Sequence, residues 1–345
     1  MTDKPTLMAV DGNSLLHRAY HALSGTGLRD DTGRPTWAVK GMWSLLCSAA
    51  MRVRADAIVI GFDDSTRSMR RERNPDYKGT RIEKASELVS QLALCPDTLR
   101  AAGLAVCVVD GLEADDVTAT AAVRGSEAGW HTVIVTSDKD AFGHISDTTS
   151  VLRILNGGVD ASPMLTPGRL EIMIGIDPSQ YLDYAALRGD ASDNLPGVYG
   201  IGEKTARKLL SGFGTMEALW ADRDAAGERI VALAGRAALH KLSTDVAYDA
   251  WARSRSMMSA VTSFDLGLDL AGRTGPGMLP LPEAPLRSAL AEVSLTSVLG
   301  PALSALTGFS AGSPTSQISA KSASATAAPP AATPPPPAPA LATLF

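Results

Sequence analysis

The sequence predicts an α/β fold in which helices cover both faces of a parallel sheet. Short apolar segments rich in β-branched residues alternate with helical patterns through about the first 160 residues. Each segment is apolar along its whole length, as strands buried on both faces are. The candidate strands are 7–10, 57–62, 105–109, 132–136 and 150–155.

Helical patterns fill the gaps between these strands. They cover 13–22, 36–52, 84–102 and 113–127, and Pro96 interrupts the third. Strands that alternate with helices in this way are typical of a parallel sheet, because each crossover helix returns the chain to the same edge.

The pattern changes after about residue 163, where the strand signals stop. Residues 166–250 contain successive short helical patterns separated by Gly, Pro and Asp. Farther along, the sequence indicates a strand near 258–264 and a helix near 283–292. Residues 310–345 are mostly Ala, Pro, Ser and Thr, and this composition predicts a disordered tail.

Composition narrows the class of protein. The net charge of −5 disfavours a general nucleic-acid coat protein, which is ordinarily basic. Cys47, Cys95 and Cys107 are too far apart in sequence for a thiolate metal site or a disulfide framework. No run approaches the ~18 apolar residues of a membrane span, and the N-terminus has no apolar leader. We therefore expect a soluble, cytoplasmic protein without a membrane partner.

Acidic residues follow the predicted strands. Because the carboxyl ends of parallel strands meet at one edge of a sheet, these side chains are expected to converge. One Asp after a strand is ordinarily a turn or cap residue, but four acidic strand ends favour a binding site for divalent cations. Ligands that are all oxygen indicate Mg²⁺ or Mn²⁺ rather than Zn²⁺. The acidic residues are Asp11, Asp63, Asp64, Glu113, Asp115, Asp116, Asp138 and Asp140.

A second constellation is the segment GDASDNLPGVYGIGEKTARKLL at 189–210. Asp190 and Asp193 have a spacing that would place both on one side of a helix end. The glycines that follow allow backbone amides to approach a phosphate, and the next helix begins with Lys204 and Thr205. An ordinary glycine-rich turn between helices is the alternative interpretation.

A third feature is the basic segment 66–84, with seven basic and three acidic residues and therefore a local charge of +4. Tyr77 lies within it. Cations with an interleaved aromatic residue suit a nucleic-acid strand, although a solvated charged loop has the same composition.

These motifs together resemble the 5′-nuclease (flap endonuclease) family, which includes the N-terminal 5′→3′ exonuclease domain of bacterial DNA polymerase I. The resemblance covers about residues 5–265, and 189–206 is its most specific part. The matching elements are Asp11-Gly, Phe62-Asp63, Tyr77-Lys78 with Arg81, Glu113-Ala-Asp115-Asp116, Asp138-Lys-Asp140 and GDASDNLPGVYGIGEKTA.

The resemblance implies a domain organisation. A PIN-like nuclease domain would occupy 1–163, with an arch at about 66–84, and a helix-hairpin-helix (H3TH) region would occupy 164–265. A C-terminal extension at 266–309 and the tail at 310–345 would follow. With no polymerase portion in the sequence, we expect a stand-alone nuclease.

The resemblance also implies the chemistry of the site. Two or three Mg²⁺ or Mn²⁺ ions would be held, one by Asp11, Asp63, Glu113, Asp115 and Asp116, another by Asp138, Asp140, Asp190 and Asp193. Lys78 and Arg81 would act in catalysis at the scissile phosphate, and Tyr77 would stack on a base. The other residues expected to contact DNA are Arg70, Gly197, Gly200, Gly202, Lys204 and Thr205, with a possible K⁺ ion at the hairpin.

The implied function is structure-specific 5′→3′ exonuclease and 5′-flap endonuclease activity in replication and repair. DNA with 5′ flaps, nicks or 5′ ends would be the substrate, RNA primers could be included, and the protein is expected to be a monomer. A PIN-type ribonuclease and a non-catalytic protein that binds DNA structures are the alternatives. The helix-hairpin-helix element disfavours the first, and the retained carboxylates disfavour the second.

Overall fold

The computed structural model describes residues 4–308, and its centre is a six-stranded sheet. The strand order is β3-β2-β1-β4-β5-β6; β1 to β5 are parallel, and β6 pairs antiparallel with β5. The strands are β1 Thr6–Asp11, β2 Ala57–Phe62, β3 Ala105–Val108, β4 His131–Thr136, β5 Thr149–Arg153 and β6 Met164–Leu165.

Fourteen helices surround or extend this sheet in the described part of the chain. Those of the sheet region are α1 Gly12–Leu23, α2 Trp37–Val53, α3 Met69–Arg73, α4 Ser86–Ala101 and α5 Ala114–Glu127. Those of the helical region are α6 Pro167–Ile174, α7 Tyr181–Arg188, α8 Glu203–Phe213, α9 Met216–Asp224, α10 Glu228–Ala234, α11 Arg236–Leu242 and α12 Ala247–Met258. Two C-terminal helices follow, α13 Glu283–Glu292 and α14 Thr296–Leu306.

The five predicted strands and the predicted parallel sheet are confirmed. Strand β6 was not predicted, because two residues are too few to show a periodic pattern. The strand near 258–264 is wrong, since that backbone joins no ladder and Val261 N–H donates to Asp116 instead. Pro96 lies inside the continuous helix α4. The tail predicted at 310–345 lies outside the described residues.

Alternate residues of β1 enter two different cores. Leu7 and Ala9 face the core formed with α5 and the helical region, whereas Met8 and Val10 face the core formed with α1 and α2. This division follows from the alternation of side chains along a strand. The helical region therefore packs onto the sheet through the α5 side.

The C-terminal helices belong to the second core. Helix α14 packs against α2, and α13 packs against α4. Leu286 and Leu306 are fully buried there. The chain reaches this position by crossing the start of β2, where Ile58 N–H donates to Gly277 O at 2.8 Å. Within residues 4–308, no helix combines the length and the apolar character needed to cross a bilayer.

Gly61 allows β2 to pack directly against α5. A Cβ at Gly61 would lie 2.7 Å from Val117 Cβ and 2.9 Å from Ala114 O. This close approach matters for the site, because Ala114 N–H donates to the Asp63 carboxylate at 3.0 Å.

We predict that Gly61→Ala destabilises the protein by about 1–3 kcal/mol, since the added methyl group has no space in a packed interior. Gly168→Ala is the matched control. Gly168 lies in α6 with nothing within 4 Å of its would-be Cβ, so alanine there should be neutral or stabilising by up to about 1 kcal/mol. Urea denaturation of the three proteins measures both effects, and equal stability of Gly61→Ala and wild type would contradict the packing argument.

Candidate active site

Acidic side chains gather where β1, β2 and β4 end. Asp11 is the last residue of β1, Asp63 follows β2 directly, and Asp138 follows β4 by two residues. These three strands are neighbours in the sheet and run parallel, so their ends share one edge. The electrostatic influence of Asp63 and Asp138 on Asp11 reflects this convergence.

Asp11 is buried, Asp63 is half-buried, and both are held by short hydrogen bonds. Burial raises the pKa of Asp11 to about 7, against hydrogen bonds from Ser14 and Thr136 that lower it. Burial also raises the pKa of Asp63. The Asp63 carboxylate accepts a hydrogen bond from Asn13 Nδ2 at 2.8 Å, and Asp63 N–H donates back to Asn13 Oδ1 at 2.9 Å.

Asp140 lies in a second group of carboxylates beyond β4. Its pKa is raised to about 7, first by burial and then by repulsion from Asp138, Asp190 and Asp193. Oδ1 of Asp140 is buried and has no hydrogen-bond partner. A buried carboxylate oxygen without a donor is costly, and a bound cation would remove that cost.

Glu113, which precedes α5, is bound by cations of the basic segment. Lys78 Nζ lies 2.8 Å from Glu113 Oε2, and Arg70 Nη1 lies 3.2 Å from the same oxygen. Burial alone would raise the pKa of Glu113, but these two cations outweigh it and hold the pKa below its usual value.

Tyr77 is buried, with 2% of its surface exposed, and joins two acidic groups. Its hydroxyl lies 3.1 Å from Glu113 Oε2 and 3.0 Å from Asp193 Oδ2. Arg81 Nη2 pairs with the other oxygen of Asp193 at 2.7 Å. The stacking of Tyr77 on a base, expected from the sequence, is wrong for this conformation because the ring has no free face toward solvent.

The expectations for Arg70 and Asp116 also require correction. Arg70 is buried and forms a two-pronged ion pair with Asp116, at 2.8 Å for both contacts. Asp116 is 0% exposed and accepts two further hydrogen bonds, from the N–H groups of Glu113 and Val261. With four donors around its two oxygens, Asp116 has no lone pair left for a metal ion, and Arg70 is not accessible to DNA.

The carboxylates of Asp115 and Asp190 differ in their exposure and in their hydrogen bonds. The Asp115 side chain is 49% exposed, and its contact to Arg70 is long, at 3.4 Å. Asp190 is buried and accepts hydrogen bonds from the N–H and hydroxyl of Ser192 at 2.8 and 2.6 Å. Burial would raise the pKa of Asp190, but those bonds and the nearby Lys139 and Arg188 lower it.

The hairpin at 197–202 connects α7 to α8. Gly197 has φ +62°, and a Cβ there would meet the Arg188 carbonyl carbon at 2.7 Å. Val198 and Ile201 are buried on either side of the exposed Tyr199, and Ile201 N–H donates to Val198 O at 2.9 Å. Gly200 and Gly202 are exposed, as is Lys204, while Thr205 is half-buried in the first turn of α8.

Sequence reasoning missed three polar residues that hold the carboxylates. Asn13, Ser14 and Thr136 each bond directly to Asp11 or Asp63. Their positions gave a signal, because each lies within three residues of a predicted metal ligand at a strand end. Small polar residues are so common at helix starts and strand ends that the signal was not distinctive.

The carboxylates are close together but do not form a ready-made ion site. In residues 4–308, no set of three or more His, Cys, Asp or Glu side chains is placed to hold one metal ion. The cause is visible at Glu113 and Asp193, where Lys78, Arg70 and Arg81 occupy the oxygens. Glu113 and Asp193 are therefore neutralised by the chain's own cations.

Comparisons with known proteins agree with this arrangement. Residues 6–169 match the family described as 5′-3′ exonuclease, N-terminal resolvase-like domain. Residues 176–271 match the family described as 5′-3′ exonuclease, C-terminal SAM fold.

Two curated relatives are DNA polymerases I. That of Mycobacterium bovis is 39% identical over 222 residues, which cover 64% of this chain and 24% of the relative. The thermostable enzyme of Thermus aquaticus is 40% identical over 221 residues, which cover 64% of this chain and 26% of the relative. The chain thus spans about a quarter of the length of these relatives.

A solved structure shows the same fold at lower identity. It is a bacteriophage T5 D15 flap endonuclease in a pseudo-enzyme-product complex with DNA and metal ions. The two chains are 20% identical, with a TM-score of 0.57, over 87% of this chain and 99% of the phage chain. The matches to both family domains, over most of the described residues, show that this chain belongs to the 5′-3′ exonuclease family of nucleases.

Proposed function

We propose that this nuclease is a divalent-metal-dependent, structure-specific 5′→3′ exonuclease and 5′-flap endonuclease. Its substrate would be DNA with 5′ flaps, nicks or 5′ ends, including RNA primers on DNA, in replication and repair. The observation that carries the proposal is the gathering of carboxylates at one edge of the sheet, with Lys78 and Arg81 directly against them.

The carboxylates fit divalent cations. All the donors are oxygens, which favours Mg²⁺ or Mn²⁺. Asp140 Oδ1 is buried without a partner. Burial first, and then neighbouring carboxylates, raise the pKa values of Asp11 and Asp140, and a cation would stabilise the ionised form of both. One ion would be held by Asp11, Asp63, Glu113 and Asp115, and a second by Asp138, Asp140, Asp190 and Asp193. Asp116 is excluded by its four donors.

Cations in such a site supply Lewis acidity to water and to the phosphodiester. The chain's own contribution is to bind and orient the phosphate. Lys78 and Arg81 are the cations nearest the carboxylates that are not fully buried. If Glu113 and Asp193 held metal ions, Lys78 and Arg81 would be free to pair with a phosphate instead.

The hairpin at 197–202 supports binding to duplex DNA. Exposed Gly200 and Gly202, followed by Lys204, present backbone and ammonium groups to a phosphate backbone. A K⁺ ion bound at the hairpin carbonyls is part of the proposal. The phage relative was solved with DNA, which supports the same class of ligand here.

We also propose that the chain is divided into four segments. The nuclease domain would end near 163 and the helix-hairpin-helix region near 265, followed by the extension to 309 and the tail. The protein would act as a monomer.

We predict that Asp138→Asn together with Asp140→Asn abolishes cleavage and leaves DNA binding largely intact. The two substitutions remove the charges that would hold one ion without changing side-chain size. Cleavage of a 5′-labelled flap substrate in Mg²⁺ and in Mn²⁺ measures the activity, and the length of the labelled product separates exonucleolytic from flap cleavage.

The control is Asp177→Asn, an Asp in the helical region whose carboxylate only caps the turn at Ser179. It should cleave like wild type. Wild-type activity that survives excess EDTA would overturn the metal assignment, and equal cleavage of single-stranded RNA would favour a ribonuclease instead.

A second prediction concerns pH and the metal-free protein. Because the pKa of Asp11 is about 7 in the folded state, folding takes up a proton there between about pH 4 and 7. Wild type should therefore lose stability relative to Asp11→Asn as pH rises, by at most about 1.4 kcal/mol per pH unit. Urea denaturation in EDTA from pH 5 to 8 measures this difference.

The comparison with a variant is needed because other groups also change the stability with pH. Burial lowers the pKa of His17, His131 and His144, so these histidines make the protein more stable as the pH rises toward about 6.5. Asp190→Asn is the control, since the pKa of Asp190 is already low and its ionisation does not change in this range. A difference between wild type and Asp11→Asn that is constant from pH 5 to 8 would show that Asp11 is ionised throughout.

A further inference from the structure

We propose that Thr136 is a positioning residue, which fixes the Asp11 carboxylate relative to the backbone that carries Asp138. This inference rests on the proposed function, because Asp11 and Asp138 are assigned there to different ions. Thr136 would therefore set how the two groups of ligands are placed with respect to each other.

The Thr136 hydroxyl forms hydrogen bonds with both acidic residues. Thr136 is the last residue of β4, which pairs with β1, and only 1% of its surface is exposed. Its hydroxyl donates to Asp11 Oδ2 at 2.8 Å and accepts from Asp138 N–H at 3.0 Å. Since a backbone N–H can only donate, the single hydroxyl proton is committed to Asp11.

Ser14 closes a second connection between the same strand ends. Ser14 N–H donates to Asp11 Oδ1 at 2.9 Å, and Ser137 N–H donates to Ser14 Oγ at 2.9 Å. Each oxygen of Asp11 thus accepts one bond from the protein. A carboxylate oxygen has two acceptor sites, so each keeps one for a cation.

The two connections differ in what their loss would do. Without the Thr136 hydroxyl, the Asp138 N–H loses the acceptor it has in this structure, and Asp11 Oδ2 loses its donor. Both the orientation of Asp11 and the start of the turn that carries Asp138 and Asp140 would then be less defined. Loss of such a supporting hydrogen bond to a metal ligand costs about 10–100-fold in metal affinity or activity.

The test compares three variants by calorimetric titration of Mn²⁺ into the full-length protein without DNA. Thr136→Val keeps the shape of the side chain and removes the hydroxyl, and should weaken Mn²⁺ binding by about tenfold or more. Thr136→Ser keeps the hydroxyl and should bind within about threefold of wild type, so that it rescues the loss.

Thr132→Val is the matched control. Thr132 is equally buried on the same strand, but its hydroxyl points to Ala121 O, away from the carboxylates. This variant should bind Mn²⁺ like wild type. If Thr136→Val does not fold, as judged by urea denaturation, Thr136→Ala removes the hydroxyl without a branched side chain and should show the same loss.

Flap cleavage supplies an independent readout. Thr136→Val should lower kcat and leave KM for DNA unchanged, because Thr136 supports the metal ligands and not the hairpin. Mn²⁺ binding by Thr136→Val equal to wild type, or a Thr136→Ser variant as weak as Thr136→Val, would overturn the positioning role while the proposed function stands. A wild-type protein that binds no Mn²⁺ would overturn the proposed function itself.

Discussion

Repulsion among carboxylates at one edge of the sheet is the constraint around which the rest of the structure is arranged. Parallel strands bring Asp11, Asp63 and Asp138 together, and burial makes the negative charge of Asp11 and Asp63 costly. Two features of the structure limit this cost. The raised pKa values of Asp11 and Asp140 favour their neutral forms, and Lys78, Arg70 and Arg81 lie against Glu113, Asp116 and Asp193.

The three side-chain cations differ in the number of ion-pair contacts they make and in their exposure. Arg70 is locked by two short contacts to the fully buried Asp116, so it forms part of the framework. Lys78 and Arg81 hold single oxygens of Glu113 and Asp193 and lie nearer solvent. Exchange of a protein cation for a metal ion is therefore cheapest at Lys78 and Arg81.

The sequence predicted the sheet and the carboxylate edge well, because both depend on local patterns. The five long strands and the helix at 283–292 are confirmed, and the acidic residues after the strands do converge. Individual roles depend on long-range contacts that no local pattern records. Arg70 and Asp116 are 46 positions apart, and Tyr77 bonds to Asp193, 116 positions away. Both partners of each contact are polar residues in acidic or basic segments, so composition alone cannot separate a buried pair from an exposed one.

The packing of α14 against α2 has a consequence for how the chain folds. Helix α2 ends at Val53, and α14 does not begin until Thr296, so the core beneath the sheet is closed by residues from opposite ends of the described chain. Contacts between such distant residues are slow to form, because a long loop must close first. During synthesis on the ribosome, the part of α2 that α14 covers must therefore stay exposed until Leu306 has emerged, although α1 can pack against α2 earlier. Until then the growing chain would expose this apolar surface to water, although its carboxylate edge is already complete at Asp193.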